Sequence, residues 1–305
     1  MIAYIGTRLA RGLLTLFGVL TVAFLALRLN GSPAVAMIPQ GSPQAIADLN
    51  TALGFDGSLL SQYARYLGNA AQGDFGTSFA QEGVPTVQLV LDRMPATLEL
   101  AATALVLGML AGFGLAFLIQ LTDGRRLRTA MIWLGVARQA TPTFLFGVLL
   151  VLVFSVKLGW LPSIGRGGVQ NLVLPALALG TFEVTLYMRL LDASLTEQLQ
   201  RDYVRTAHAK GQRRSVILLR HMLPNALLPT LTVAGLNFGA MLGGVVVVEA
   251  VFNWPGVGQL LVNSVNARDY PVVQTTLLVV AAIFVLVNLA VDLLYAVLDP
   301  RVRLR

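Results

Sequence analysis

Six nearly uninterrupted apolar runs, at residues 12–27, 96–121, 129–156, 172–191, 226–252 and 275–298, constrain this chain more than any motif in it. Each is close to the roughly 20 residues that cross a hydrocarbon core as helix, and lipid tolerates only structures whose backbone polar groups are satisfied internally. The expectation is an all-α polytopic membrane protein of about six spans. With 56% hydrophobic and 12% charged residues, the chain has too little polar surface for an ordinary soluble domain.

The cations sort by side. Arg8 and Arg11, then Arg125, Arg126 and Arg128, then Arg201, Arg205, Lys210, Arg213, Arg214 and Arg220, and finally Arg301, Arg303 and Arg305 fall in alternate connecting segments. The opposite side receives Arg28, Arg65, Arg93, Lys157, Arg166 and Arg268, although it includes the longest connection. By the positive-inside rule both termini are cytoplasmic. The net charge of +7 is then a matter of topology and needs no nucleic acid partner. Two arginines before an apolar run also resemble the start of a secretory signal peptide. Here the run carries on to Leu29, with "PAVAM" beyond it, so the segment is read as a first span.

This partition gives residues 1–29 as N-terminus and first span, 30–95 as an extracytoplasmic cap, and 96–305 as a five-helix core with a cytoplasmic loop at 193–225. Within the cap, Leu59, Leu60, Tyr63, Tyr66, Leu67, Ala70 and Ala71 recur at helical spacing. Val87, Val90, Leu91 and Met94 do so again after Pro85, a residue suited to a helix's first turn. Two amphipathic interfacial helices are expected.

Several chemistries are excluded by residue type. The chain has no cysteine, hence no disulfide or thiolate, and both histidines, His208 and His221, lie in one charged stretch. A phosphate-cradling G-x-x-x-x-G-K-[ST] loop is absent, because Lys157 and Lys210 are the only lysines and neither follows a glycine. No H-E-x-x-H occurs. A catalytic role is disfavoured, and any ATP that drives this protein is hydrolysed on another polypeptide.

The charged stretch itself, "RDYVRTAHAKGQRRSVILLRHMLPNALLP" at 201–229, has more pattern than a loop that only sets topology. Val204 and Ala207, then Val216, Ile217, Leu218, Leu219 and Met222, allow two short helices with a turn at Gly211. Its cations keep it out of lipid, and Pro224, Asn225 and Pro229 mark re-entry, with Pro229 placed to kink the fifth span. An ion or solute channel without ATPase partners is the rival class, but it has no use for such a loop.

The stretch resembles the cytoplasmic "EAA" loop of permease subunits in binding-protein-dependent ABC importers, with Ala207, Gly211, Leu223 and Pro224 at that motif's spacing. Arg205 and Thr206 stand where the general motif has Glu and Ala, as in the peptide and nickel branch. "RLARGLLTLFGVLTVAFLALRLNGSP", "LGFDGSLLSQYARYLG", "GDFGTSF", "RMPATLELA", "PTFLFGVLLVLVFSVKLGWLPSIGRGG", "VEAVFNWPGVGQLLVNSVNARDYPVVQ" and "LDPRVR" are similar, in order, to the first permease subunit of dipeptide, oligopeptide and nickel importers. "NGSP" departs from the commoner "PGDP".

That resemblance implies a type I importer permease fold in the bacterial inner membrane, non-catalytic and without a cofactor of its own. It implies half of a translocation pathway for peptides, with nickel or a metallophore, glutathione or small glycans as alternatives. The implied partners are a homologous second permease subunit, two ATPase subunits or domains carrying ATP and Mg, an extracytoplasmic solute-binding protein and the lipid bilayer. It implies ATPase docking by a coupling helix for Asp202, Tyr203, Arg205, Thr206, Ala207, Ala209, Lys210, Gly211, Leu223 and Pro224.

A charge inside the runs costs about 2.5–3.5 kcal/mol on insertion scales, so the polar groups there tend to face a cavity, a partner or another charge. Arg138, Glu183, Glu249, Asn288 and Asp292 are expected either to line the pathway or join the permease halves, or else to hydrogen-bond between helices. Arg189, near a span end, is expected to snorkel. Gly108 and Gly112 form a G-x-x-x-G, with Gly114 beside it, that predicts close helix packing. Trp254, in "FNWPGVG", is expected as an aromatic anchor at the outer interface, with an outer gate as the alternative.

Overall fold

The computed structural model describes residues 2–29, 31–38, 40–81, 83–122 and 124–298, excluding the side chains of 2–5, 33, 36 and 292–298. Arg301, Arg303, Arg305 and the Asp292 side chain lie outside the described residues. The helices in chain order are α1 (Ile2–Leu29), α2 (Pro33–Met37), α3 (Pro43–Ala52), α4 (Leu59–Ala71), α5 (Thr86–Thr122), α6 (Arg125–Ala140) and α7 (Thr143–Leu150), which widens to a π-helix over Val151–Lys157. They continue as α8 (Val169–Gln198), α9 (Asp202–Ala209), α10 (Arg214–Val216, π-helical over Ile217–Met222), α11 (Leu223–Val251), α12 (Val257–Asn266) and α13 (Tyr270–Leu298). The single bridge among the described residues joins Thr77 and Pro85. Among the described residues, five helices are long and apolar enough to cross a membrane, and the bent pair of α6 and α7 makes up to 6.

A bend interrupts the run at residues 129–156, read from the sequence as one span. The pair turns by 102° between Ala140 and Thr143. The cause is local: Pro142 disfavours the helical region for the residue before it, and Thr141 is extended at φ −90°, ψ 120°.

The chain divides into two compact units, 1–95 with 256–285 and 96–255 with 286–305. In the first, the short helices start where serine precedes the first turn: the Ser32, Ser42 and Ser58 hydroxyls accept from the amides of Ala34, Ala45 and Ser61. Proline occupies the first helical position of α2 and α3. α4 forms where the periodicity places it and lays Tyr63 and Tyr66 on Phe24 of α1, with centroids 5.1 and 5.7 Å away. Thr21 Oγ1 meets the Tyr63 hydroxyl at 2.6 Å.

Residues 87–94 are not a separate interfacial helix. They open α5, which runs through Pro95 into the second apolar run. One proline removes one backbone hydrogen bond, too little to end a 37-residue helix whose Val90 and Met94 are already buried.

The "GDFGTSF" loop is fixed by a buried acid. Asp269, ahead of α13, accepts from Ser78 Oγ at 2.5 Å and from the amides of Phe79 and Ala80 at 3.1 Å each. Thr275 Oγ1 donates to Thr86 Oγ1 close by (2.8 Å). Asp269→Ala would strand the buried Ser78 hydroxyl and loosen two amides. The expected result is a loss of about 2 kcal/mol in cap stability, read as earlier thermal unfolding and faster proteolysis of residues 73–80.

In the second unit, glycines let α5 and α8 touch. A Cβ at Gly108 would lie 2.9 Å from Gly180 O, and one at Gly112 would lie 2.8 Å from Val184 O. Gly114 has no such neighbour within 4 Å. Gly147 of α7 packs under the Phe252 ring that closes α11. Trp254 is 0% exposed and its indole N–H donates to Ala96 O at 2.8 Å. It is therefore an internal strut and not a lipid-facing anchor, since a buried carbonyl satisfies the N–H that would otherwise keep an indole at the interface.

Candidate functional site

α9 follows from two apolar residues three apart in a polar sequence. Val204 and Ala207 are 1% and 5% exposed and join Ile217, Leu218, Met222, Leu191 and Leu195 in one buried cluster. The rest of the helix faces outward: the side chains of Asp202 and Arg205 are 95% and 77% exposed, and Tyr203, Thr206, Ala209, Lys210 and Gly211 are exposed too. Asp202 sits in the first turn, where a carboxylate meets the positive end of the helix dipole.

The end of α9 is a Schellman turn. Gly211 N donates to His208 O (2.9 Å) and Gln212 N to Ala207 O (3.3 Å), with Gly211 at φ +69°. His221 Nε2 bonds Gln212 Oε1 at 2.8 Å, tying the turn to the following helix. Tyr203 donates to Gln198 Oε1 at 2.5 Å, and Asn225 Nδ2 reaches the Tyr203 oxygen at 3.4 Å.

Most of the residues expected in the charged loop therefore share one side, with two qualifications. Ala207 points into the core and contributes to the seat of α9. Leu223 is half-buried and Pro224 exposed at the start of α11. The second short helix is not free-standing either: residues 214–251 form one continuous helix, so the loop contains a single detached helix, α9. Nearby, Asp192 of α8 gathers Gln120 Nε2 (2.9 Å) and Arg128 Nη2 (3.1 Å), while Arg128 Nε lies 2.8 Å from its other oxygen without hydrogen-bond alignment. Spacing did not single out this cluster, because its members are 64 to 72 residues apart.

The polar groups of the apolar runs separate into different settings. Glu183 Oε2 accepts from Asn237 Nδ2 at 2.9 Å beside a cavity of about 310 Å3 lined also by Thr143, Phe182 and Met241. Asn237 was selectable by the criterion that picks out Glu183, a polar residue inside an apolar run. Arg138 stands at the bend, donating to Thr181 Oγ1, Thr141 O and Ala178 O, with its guanidinium 4.2 Å from the Phe146 centroid. It thus satisfies a carbonyl at the end of α6 and joins that end to α8. Glu249 is 0% exposed and accepts from Thr97 Oγ1 at 2.6 Å. It lies twelve residues along α11 from Asn237, about 18 Å at helical rise, so it does not share the Glu183 setting. Asn288 is half-buried on α13 and Arg189 is exposed on α8. The side chain of Asp292 is outside the described residues.

Residues 104–304 match the family described as binding-protein-dependent transport system inner membrane component. The glutathione transport system permease protein GsiC of Escherichia coli (strain K12) is 40% identical over 305 residues, covering 99% of each chain. GsiC of Shigella flexneri serotype 5b (strain 8401) is 39% identical with the same coverage. Among solved structures, the inward-facing MetNI methionine ABC transporter aligns at a TM-score of 0.59 and 19% identity, over 70% of this chain and 97% of that one. An amino acid ABC transporter with histidines aligns at 0.51 and 17%, over 70% and 94%. These two likenesses concern the fold.

Proposed function

The chain belongs to the inner membrane components of binding-protein-dependent transport systems, and from that premise we propose that it forms one half of the translocation pathway of an importer for short peptides, glutathione among them. It is a permease of the ABC importer class. Beside it stands a homologous second permease subunit, with two ATPase subunits or domains below and a solute-binding protein delivering cargo outside. ATP and Mg belong to the ATPases. The glutathione permeases, at 40% identity along the whole chain, favour a peptide cargo over nickel, metallophores or glycans.

The observation that carries this reading is the seat of α9. A helix seated by Val204 and Ala207 and tied down at Tyr203 and Gln212, with a polar face turned outward and a glycine turn at its end, is built to receive a partner and pass its movement to α8 and α11. Closure of the ATPases on ATP then shifts α9 and switches the pathway between inward- and outward-facing states. The test is co-purification. Tyr203→Ala combined with Arg205→Ala is expected to lower ATPase retention at least tenfold with the chain still in the membrane. Undiminished retention would sink the docking role, and solute conduction by the chain alone would favour a channel.

Two further outcomes follow from the same reading. A reporter after Arg305 should be cytoplasmic and one near Gly41 external, in the bacterial inner membrane; an external C-terminus would reverse the topology. The purified chain alone should show no ATP turnover, checked by phosphate release.

A further inference from the structure

A recess of about 460 Å3 lies wholly within the first unit, bordered by Arg28, Phe55, Gln62, Tyr66 and Tyr270 among others. Of the two arginines that line it, Arg28 has no carboxylate partner among the described residues. The Arg28 guanidinium lies 3.5 Å from the Phe55 centroid and 5.2 Å from that of Phe24, and its Nε is buried without a hydrogen bond. The acids nearby are engaged elsewhere: Asp74 accepts from the Gly76 amide at 2.9 Å, and Asp56 faces Arg65 at 3.4 Å.

Two more polar atoms of the lining residues lack a partner. The Tyr66 hydroxyl is buried and unbonded, and burial, with Tyr63 adding to it, pushes its pKa up to about 12, so it remains a protonated donor. Gln62, 7% exposed, donates from Nε2 to Phe55 O (3.1 Å) and Gly57 O (3.2 Å), which fixes its amide and leaves Oε1 as an unfilled acceptor. Buried polar groups without partners are uncommon in folded proteins and call for an explanation.

Unfilled donors on Arg28 and Tyr66, an unfilled acceptor on Gln62 and aromatic walls together specify a complementary ligand. A planar carboxylate suits a guanidinium, the acceptor calls for an N–H close by, and the rings take an apolar body. A phosphodiester group, which has no O–H of its own, would meet the donors and leave Gln62 Oε1 unfilled. We propose that this recess of the cap binds the carboxylate end of an amino acid or short peptide, with Arg28 and Tyr66 on the carboxylate and Gln62 on the adjacent N–H. The inference goes beyond the permease role, which assigns the cap no ligand.

The test uses the permease complex in detergent, purified without its solute-binding protein, and the variants below distinguish the recess from the translocation pathway. Glycyl-phenylalanine should bind by saturation-transfer NMR, and glycyl-phenylalaninamide, lacking the carboxylate, at least tenfold more weakly. Arg28→Gln should weaken the dipeptide at least tenfold and Tyr66→Phe severalfold, while Arg93→Gln, outside the recess, leaves it unchanged. Tyr66→Phe keeps the ring packing on Phe24, so its effect stands even where Arg28→Gln disturbs folding. Equal binding of acid and amide overturns the proposal, as does a dipeptide affinity indifferent to Tyr66→Phe. Displacement of the dipeptide by inorganic phosphate or by phosphatidylglycerol micelles at equal concentration overturns it in favour of a general oxyanion or lipid headgroup site.

Discussion

Gly211→Val is expected to cut uptake at least tenfold while the amount of protein in the membrane stays within twofold of the parent. Gly211 holds φ +69° at the close of α9, and a Cβ there would meet no atom within 4 Å. The penalty is therefore conformational. A left-handed backbone costs an L-residue about 1–2 kcal/mol, and a β-branched one is a marked outlier there. That is enough to open a turn closed by the two hydrogen bonds from Gly211 and Gln212, and too little and too local to expel a span. With the turn open, α9 loses its orientation over the Val204 and Ala207 seat, and the outward face no longer meets its partner as one surface. Gly211→Asn separates shape from bulk, since asparagine tolerates the left-handed region. It should recover much of the uptake. Normal uptake and ATPase retention by Gly211→Val would reduce the stretch to a charge cluster that sets topology.

What could be read from the amino acids divides along physical lines. Apolar length identified the helices that cross, and glycine with flanking periodicity identified the α9 turn, because both are local consequences of composition. α4 was legible for the same reason: its apolar residues repeat at 3.6 and Ser58 precedes them. The bend at Thr141 was hidden by hydropathy, which registers how apolar residues 129–156 are but not that Pro142 makes its neighbour extended. Trp254 was misplaced because an indole in a Pro-Gly turn looks alike at an interface and in a core; only its acceptor, Ala96 O, 158 residues away, distinguishes them. The same limit hid Asp269 and Asp192. Their partners are remote in sequence, and a lone acid near a helix end carries no sign of which amides or guanidinium it will gather. For the charged loop, periodicity grouped Ala207 with Val204 as apolar, and the packing of α9 turns both inward; the docking role for Ala207 came from the resemblance alone.

Gly180→Val is expected to fail differently from Gly211→Val, losing membrane abundance as well as uptake. A Cβ at Gly180 would lie 2.6 Å from Ala104 O, and the obstructing atom is backbone, so no rotamer change relieves it. The opposite side of the same contact is equally tight, with Gly112 facing Val184 O at 2.8 Å and Met188 N at 3.0 Å. α5 and α8 can accept a valine only by separating, at a cost of about 3 kcal/mol, the upper end of ordinary overpacking. In lipid, close packing is a principal force between helices, so little compensates for the lost contact. The damage also travels along α8. Leu191 and Leu195, which seat α9, lie three and four turns beyond Gly180 on the helix through which we propose the movement passes. Retention of ATPase subunits should therefore fall together with abundance, whereas in Gly211→Val the two separate. Gly114→Ala is the matched control, because no atom lies within 4 Å of its Cβ position and alanine is the better helix former by up to about 1 kcal/mol. Thermal unfolding in detergent should show Gly180→Val shifted well down and Gly114→Ala unchanged or slightly up. Equal melting of the two would mean that α5 and α8 are not held by this glycine contact, and the route from the membrane core to the α9 seat would have to be sought through α11.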